Sequence, residues 1–268
     1  MIFFDAHVHI QARFDLDRFF FAALTNFDKQ RLDSAQQTAG TYFLLLTEAK
    51  FLDFFTVLRE EAGQRTALLP SAWTVEATAE PESLLLRHAA WPGVRLFVVA
   101  GRQLVAKERL EVLALATTAK IGDGKALVDT VNEVRDAGGL AVLPWGAGKW
   151  LGKRGGIVSD FLQNASAASL FVGDNGGRPK IWPRPAPFDL AASRGIRLLP
   201  GSDPLPLPGE EKRVGSYGAM VAGGCSDDKP VADLKNLLSE STQPITPFGH
   251  RQGAWQFLRT QVGLRLAK

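Results

Sequence analysis

Apolar residues follow two alternating patterns along this chain, short continuous runs and longer stretches with helical spacing. Residues 2–10 are rich in apolar residues and residues 41–46 are a nearly continuous apolar run, and each predicts a buried β-strand. Between them, residues 16–32 place apolar side chains three and four positions apart, which predicts an amphipathic helix. The residues on its apolar face are Phe19, Phe20, Ala23, Leu24 and Phe27.

The same alternation continues almost to the C-terminal end. Further strands are predicted at residues 67–73, 94–100, 110–115, 140–143, 170–173 and 196–199. Helices are predicted at 51–61, around His88, and at 127–137, the last of these ending at Gly138-Gly139, where a C-terminal glycine belongs. From about residue 231 the chain reads as a helical segment, whose last helix carries Phe257, Leu258, Val262, Leu264 and Leu266.

Polar residues gather directly after several predicted strands, at 7–9, 145–149, 174–175 and 202–203. A (β/α) barrel brings the C-terminal ends of its strands onto one rim, so these distant segments could converge there. An open doubly wound sheet typically has a glycine-rich first turn, whereas this chain has histidines at that point. We therefore expect an α/β protein with a TIM-like (β/α) barrel of seven or eight strands, forming a single domain over residues 1–268.

The amino-acid composition argues against several classes of function. The chain is 46% hydrophobic and 22% charged, which is typical of a globular protein. Its single cysteine, Cys225, excludes an internal disulfide and a cysteine-rich metal cluster. A net charge of +3 is too small to predict a nucleic-acid partner. No run of about 18 apolar residues predicts a membrane span, and the N-terminal residues do not resemble a signal peptide, so we expect a cytoplasmic protein without a membrane partner.

The first strand carries the most specific chemical pattern. Side chains alternate across a strand, so Asp5, His7 and His9 are expected on one face. Two imidazoles separated by one residue can bind a single metal ion, and a nearby acid can orient one of the rings. The alternative is that both histidines are hydrogen-bonded interior residues without a metal.

Four segments together resemble a known group of metal-dependent hydrolases. Residues 5–9, Asp-Ala-His-Val-His, look like the opening of the amidohydrolase superfamily and of the PHP (polymerase and histidinol phosphatase) phosphoesterases. Residues 138–145 are similar to a PHP segment that delivers a histidine before proline, and residues 201–205 to its late Gly-Ser-Asp-x-His segment. Residues 110–112 look like the strand that supplies a metal-bridging glutamate. These matches keep the family's order over about three quarters of the chain.

The resemblance implies a divalent-metal site for hydrolysis at the C-terminal rim. It carries over His7, His9, Glu111 and Asp203 as metal ligands. A metal-bound water would be the nucleophile, and Glu111, Asp174 or Asp203 would be the catalytic carboxylate that accepts its proton. The expected activity is that of a PHP-type phosphoesterase.

The chain also departs from the family at two expected histidines. Residues 144–145, Pro-Trp, stand at one of these positions, and Leu205 stands at the other. The remaining histidines, His88 and His250, are expected at the surface, so counting excludes a trinuclear site. We expect at most one ion, Zn²⁺, Mn²⁺ or Fe²⁺. The alternatives are a catalytically degenerate barrel that acts as a ligand-binding or interaction protein, and a sugar- or carboxylate-binding protein.

A glycine-rich basic segment, residues 145–156, follows the strand that lacks the family's histidine. Its glycines would let backbone amides approach an anion, although its spacing does not match a P-loop. Lys149 and Arg154 in this segment, together with Arg178, are the expected contacts to the substrate anion. The predicted partner is a small anionic compound, a phosphate or a carboxylate. The alternative is a solvated loop.

Overall fold

The computed structural model describes residues 1–36, 39–64 and 68–266, and its strands form two mixed β-sheets. The first sheet runs, in spatial order, β12 (Thr246–Gly249), β11 (Tyr217–Val221), β1 (Ile2–Val8), β2 (Thr41–Leu46), β5 (Arg95–Val99), β4 (Ser83–His88) and β3 (Trp73–Ala77). The second runs β10 (Arg197–Gly201), β9 (Leu170–Asn175), β8 (Leu140–Pro144), β7 (Glu111–Leu115) and β6 (Gly101–Val105).

The helices connect and cover these sheets. They are α1 (Leu16–Asp33), α2 (Phe54–Gln64), α3 (Leu127–Asp136), α4 (Gly152–Asn164), α5 (Ala186–Ser193), α6 (Pro230–Ser239) and α7 (Ala254–Leu266). Helix α1 begins after Asp15, whose side chain accepts a hydrogen bond from the backbone nitrogen of Arg18 at 3.1 Å and so caps the first turn. Its apolar face is buried as the periodicity predicts. Within the described residues, every helix is too short or too polar to cross a bilayer.

The expected TIM-like barrel is wrong, because the strands pair as two separate mixed sheets. Among the strands of the described residues, parallel pairs occur in β1–β2–β5 in one sheet and in β8–β9–β10 in the other. The five strands β3 to β7 follow one another through short connections with no intervening helix in the described residues 73–115. Short connections of this kind join antiparallel strands, whereas a parallel pair needs a long crossover.

Two local predictions fail in the same region. His88 is the last residue of β4, where it pairs with Trp73 of β3, and does not lie on a helix. The strand expected at residues 67–73 instead begins at Trp73, and Ala67 lies outside the described residues. Strand β3 buries only Trp73 and so lacks a continuous apolar run. Residues 84–86 of β4 are buried on both faces, and so short an apolar run does not distinguish a strand from a helix.

Apolar side chains fill three layers. Helix α1 packs against one face of the first sheet, where Phe3 and Tyr42 are buried. Side chains that alternate with these, such as Phe4, pack between the two sheets against residues of the second sheet, such as Val142. The outer face of the second sheet packs against α3, α4 and α5. The two sheets therefore share a core that fixes the end of β1 against the end of β10.

At this junction the two sheets touch through their backbones. The backbone nitrogen of Asp203, just after β10, donates to the carbonyl oxygen of His7 at 2.9 Å. Gly201 allows this approach, because a Cβ atom there would lie 2.3 Å from the backbone nitrogen of His7. The ends of β1 and β10 are thus held side by side, and the polar residues that follow each strand meet.

Candidate metal centre and its cavity

Three side chains converge where β1 and β10 end. The Nε2 atoms of His7 and His9 lie 3.1 Å apart, and each lies 3.6 Å from Oδ1 of Asp203. Among the described His, Cys, Asp and Glu residues, this is the group whose potential ligand atoms all fall within 4.8 Å of one another. Both rings are buried, and the Asp203 side chain is 16% exposed. The alternation of β1 therefore brings the histidine pair to one point.

Asp203 reaches this point through an unusual backbone conformation. Its φ angle is +51°, in the left-handed region that aspartate and asparagine tolerate better than most residues. Its second carboxylate oxygen, Oδ2, accepts a hydrogen bond from Nδ2 of Asn175 at 3.1 Å. Asn175 therefore holds one oxygen of the carboxylate while the other faces the two imidazoles.

Asp5 does not orient a histidine ring, as the strand pattern suggested. Its carboxylate accepts hydrogen bonds from the backbone nitrogens of Ser202, Gly215 and His7 at 2.9, 2.9 and 3.2 Å, and from the Ser202 hydroxyl at 2.5 Å. Burial raises the pKa of Asp5 to about 6, although these four bonds act in the opposite direction. Its role is to join β1 to the segment that carries Asp203.

The electrostatics of the cluster suit metal binding. Burial, reinforced by the charge of neighbouring His7, lowers the pKa of His9 to about 4, so that ring is neutral at pH 7. Burial acts to raise the pKa of Asp203, but His7, His9 and the cations Arg213 and Lys149 outweigh it and hold that pKa below its ordinary value. A neutral imidazole beside a carboxylate is the protonation state that metal ligands require.

The spacing also fits one ion. Two imidazole nitrogens bound to one tetrahedral ion at about 2.1 Å would lie roughly 3.4 Å apart. The distance of 3.1 Å between the His7 and His9 Nε2 atoms is close to this value. The three donors therefore fit a single divalent ion of the kind expected from the sequence.

Glu111 lies in the wall of the adjoining cavity and outside this group of three ligands. Its Oε1 atom accepts a hydrogen bond from Nε2 of Gln103 at 3.2 Å and forms an ion pair with Lys149. Lys149 also lines the cavity. The carboxylate of Glu111 and the ammonium group of Lys149 thus both reach the cavity, but they are paired with each other.

Asp174 and Arg178 form a buried ion pair of their own. Both oxygens of Asp174 accept hydrogen bonds from the Arg178 guanidinium at 2.7 Å, and Oδ2 also accepts one from the Tyr217 hydroxyl at 3.0 Å. Neither residue is among the described residues that line the cavity. This geometry gives Asp174 no access to a substrate and leaves Arg178 engaged with the protein.

Arg154 is likewise directed at the protein. Its guanidinium donates to the backbone carbonyls of Gly148 at 2.9 Å and Arg109 at 3.4 Å, and it does not line the described part of the cavity wall. Of the three cations predicted to contact an anion, the structure brings Lys149 to the cavity.

The cavity next to the histidine pair has a volume of about 420 Å³. Helix α7 forms part of its wall through Phe257, Thr260, Gln261 and Leu264. Gln103, Asn175 and Gln252 also line it, and the sequence analysis gave none of them a role. A role for Asn175 could have been predicted, because strand alternation places its side chain on the opposite face of β9 from that of Asp174. No sequence pattern around Gln252 indicates a role for that residue.

This chain is similar in fold to a protein of known structure. No protein-family model matches the chain, and no curated protein matches it. Among solved structures, it is similar to the crystal structure of PsfC from Pseudomonas syringae PB-5123, with a TM-score of 0.58 and 15% sequence identity. The match covers 100% of this chain and 99% of that one. At this identity the similarity concerns the fold alone.

Proposed function

We propose that this protein is a metal-dependent hydrolase that holds one divalent ion at His7, His9 and Asp203. The observation that carries the proposal is the convergence of these three ligand atoms within 4.8 Å beside a cavity of about 420 Å³. That volume is within the range of sites for small molecules, roughly 300–1,000 Å³. The mixed nitrogen and oxygen donors suit Zn²⁺, Mn²⁺ or Fe²⁺. Such an ion supplies a bound water that ionises near neutral pH.

The remaining roles belong to residues of the cavity wall. Glu111 presents a carboxylate that can accept a proton, and Gln103 holds it in place. Lys149 lines the same cavity, where an anionic substrate would compete with Glu111 for its positive charge. A PHP-type phosphoesterase acting on a small anionic compound is the form of this proposal that the motif resemblance favours. A cytoplasmic location stays a prediction of the sequence.

A second candidate is a binding protein on the same scaffold that no longer hydrolyses its ligand. One observation favours it: Trp145 and Leu205 both line the cavity, at the two positions where the resemblance expects histidines. An indole and an isobutyl group cannot replace imidazole as metal ligands. They make the cavity more apolar and leave the centre with three protein donors.

Metal analysis tests the proposal. Protein purified without added metal and then incubated with Mn²⁺ or Zn²⁺ should retain about one ion per chain after desalting, whereas the His7→Ala/His9→Ala variant should retain almost none. His250→Ala is the matched control, because His250 is exposed. Equal, near-zero metal in both proteins would refute the metal centre. Metal retention without hydrolysis of p-nitrophenyl phosphate or its diester would favour the binding protein.

A further inference from the structure

Two amide side chains in the cavity wall keep buried polar atoms without a partner. Asn175 and Gln252 are 6% and 3% exposed. Within the described part of the chain, Oδ1 of Asn175 and both Oε1 and Nε2 of Gln252 make no hydrogen bond. Buried polar groups are nearly always paired, so these three atoms call for a partner from outside the protein.

The contacts of Asn175 determine which of its atoms is free. Its Nδ2 group donates to the carbonyl oxygen of Trp145 at 2.9 Å and to Oδ2 of Asp203 at 3.1 Å. Both of those partners are acceptors, so the amide nitrogen must face them and Oδ1 must be the free acceptor. This acceptor belongs to the residue that holds Asp203, and it therefore lies next to the metal centre.

A glycine lies beside this buried acceptor. A Cβ atom at Gly177 would lie 3.2 Å from Oδ1 of Asn175, its nearest neighbour there. Gly177 also lines the cavity. Any side chain at this position would crowd the unpaired oxygen, whereas glycine does not.

Backbone hydrogen bonds hold Gln252 beside Gly176, the residue that precedes Gly177. Its nitrogen donates to the carbonyl oxygen of Gly176 at 2.8 Å, and its own carbonyl accepts from the backbone nitrogen of Lys180 at 2.9 Å. These two bonds fix where its side chain starts. The amide then presents one donor and one acceptor, a pattern that matches a group with an N–H and a C=O on the same edge.

The charges of the wall limit the charge of the ligand. The charged side chains among the described lining residues, apart from the histidines, are Lys149, Glu111 and Asp203. Lys149 and Glu111 neutralise each other as an ion pair. A divalent ion bound by Asp203 and neutral imidazoles then leaves about one net positive charge. A ligand with one negative charge balances this site.

We propose that Asn175 and Gln252 form a subsite for a carboxamide or ureido group, borne on a ligand with a single negative charge. The ligand's N–H atoms donate to Oδ1 of Asn175 and Oε1 of Gln252, and its carbonyl accepts from Nε2 of Gln252. The inference rests on the proposed function in treating this cavity as the substrate site. The amide subsite itself consists of protein atoms, and only the charge of the ligand depends on the bound ion.

A matched pair of probes tests the subsite. Succinamate carries a carboxylate and a carboxamide, whereas monomethyl succinate has the same charge and replaces the amide NH₂ with a methoxy group. Titrations of the Zn²⁺-loaded and the metal-free protein, followed by NMR, should show at least about tenfold tighter binding of succinamate, because only the amide can donate to the free acceptors. Equal affinities, or no binding of succinamate, would mean that water satisfies these atoms and would overturn the proposal.

Three variants test which residues cause the preference for succinamate. Gln252→Leu should abolish the preference for succinamate, and Gly177→Ala should reduce it by crowding Oδ1 of Asn175. Gln256→Leu introduces the same side chain at an exposed position of α7 and should retain the preference. Circular dichroism establishes that each variant is folded. Retention of the preference by both Gln252→Leu and Gly177→Ala would overturn the assignment.

Zinc content, measured on the same samples, separates this proposal from the proposed function. A preference for succinamate in protein that binds no Zn²⁺ supports the subsite and refutes the metal centre. Zn²⁺ binding without the preference supports the metal centre and refutes the subsite.

Discussion

The carboxylate of Asp5 accepts hydrogen bonds from both the backbone nitrogen and the hydroxyl of Ser202, at 2.9 and 2.5 Å. Asp5 lies two residues before His7, and Ser202 directly precedes Asp203, so this contact joins the two segments that carry the candidate ligands. The contact is fully buried, and its loss should therefore affect both stability and the geometry of the centre.

Ser202→Ala should lower the free energy of unfolding by about 1–3 kcal/mol, because it leaves a buried acceptor with one donor fewer. It should also weaken Zn²⁺ binding, since Asp203 loses part of its support. Urea unfolding and competition with a chelator measure the two effects. Unchanged stability and unchanged affinity would show that the backbone contacts suffice.

Gly201→Ala should disrupt the junction of β1 and β10. The added methyl group would lie 2.3 Å from the backbone nitrogen of His7, so the strands must separate. Overpacking of this kind costs about 1–3 kcal/mol or more. Gly122→Ala is the control, because a Cβ atom there meets nothing within 4 Å. The melting temperature and Zn²⁺ content of the two variants test the prediction; equal values in both would contradict it.

Glu48→Gln should change how stability depends on pH. Glu48 is buried and accepts hydrogen bonds from the backbone nitrogens of Phe54 and Phe55, yet burial raises its pKa from 4.5 to about 7. The stabilising contribution of the protonated acid is fully present below pH 4.5 and is lost as the pH rises to 7. The wild type should therefore lose up to roughly 3 kcal/mol relative to Glu48→Gln over this interval.

Urea unfolding at pH 5, 6, 7 and 8 measures this difference between the two proteins. Glu60→Gln is the control, because Glu60 is an exposed residue of the adjacent helix α2. A stability difference between wild type and Glu48→Gln that stays constant with pH would show that Glu48 is ionised throughout this range.

Arg178→Ala should destabilise the protein by about 3–5 kcal/mol, because it leaves the buried carboxylate of Asp174 without its cation. Arg154→Ala should change stability by about 0.5 kcal/mol or less, as is usual for a surface substitution. Chemical denaturation compares the two variants. If Arg178→Ala were stable but lost affinity for succinamate, Arg178 would be a ligand contact after all.

Local structure could be predicted from this sequence where the order of apolar and polar residues within one helix or strand indicates its type. The apolar spacing of α1 and the continuous apolar run of β2 correspond to elements at the expected residues. Strand alternation also placed His7 and His9 side by side. These features depend on the side chains of neighbouring residues, which the sequence displays directly.

The arrangement of strands could not be predicted in the same way. Whether β4 pairs parallel or antiparallel with β5 depends on a connection whose residues look much like any other loop. The site shows the same limit, since Arg178 reads as a free cation until its buried partner Asp174 is known. Gln252 lies far along the chain from Asn175, and its place in the cavity follows from backbone contacts with the turn at Gly176.

The backbone bond between Asp203 and His7 has a consequence for how this protein can evolve. All three candidate ligands lie on one hydrogen-bonded junction of two strands, whereas α7 and the turn that bears Lys149 supply much of the cavity wall. Substitutions in those outer elements can alter what enters the cavity while the junction stays intact. Lineages that share the histidine pair and Asp203 would then differ in their ligands, and selectivity could change without rebuilding the centre.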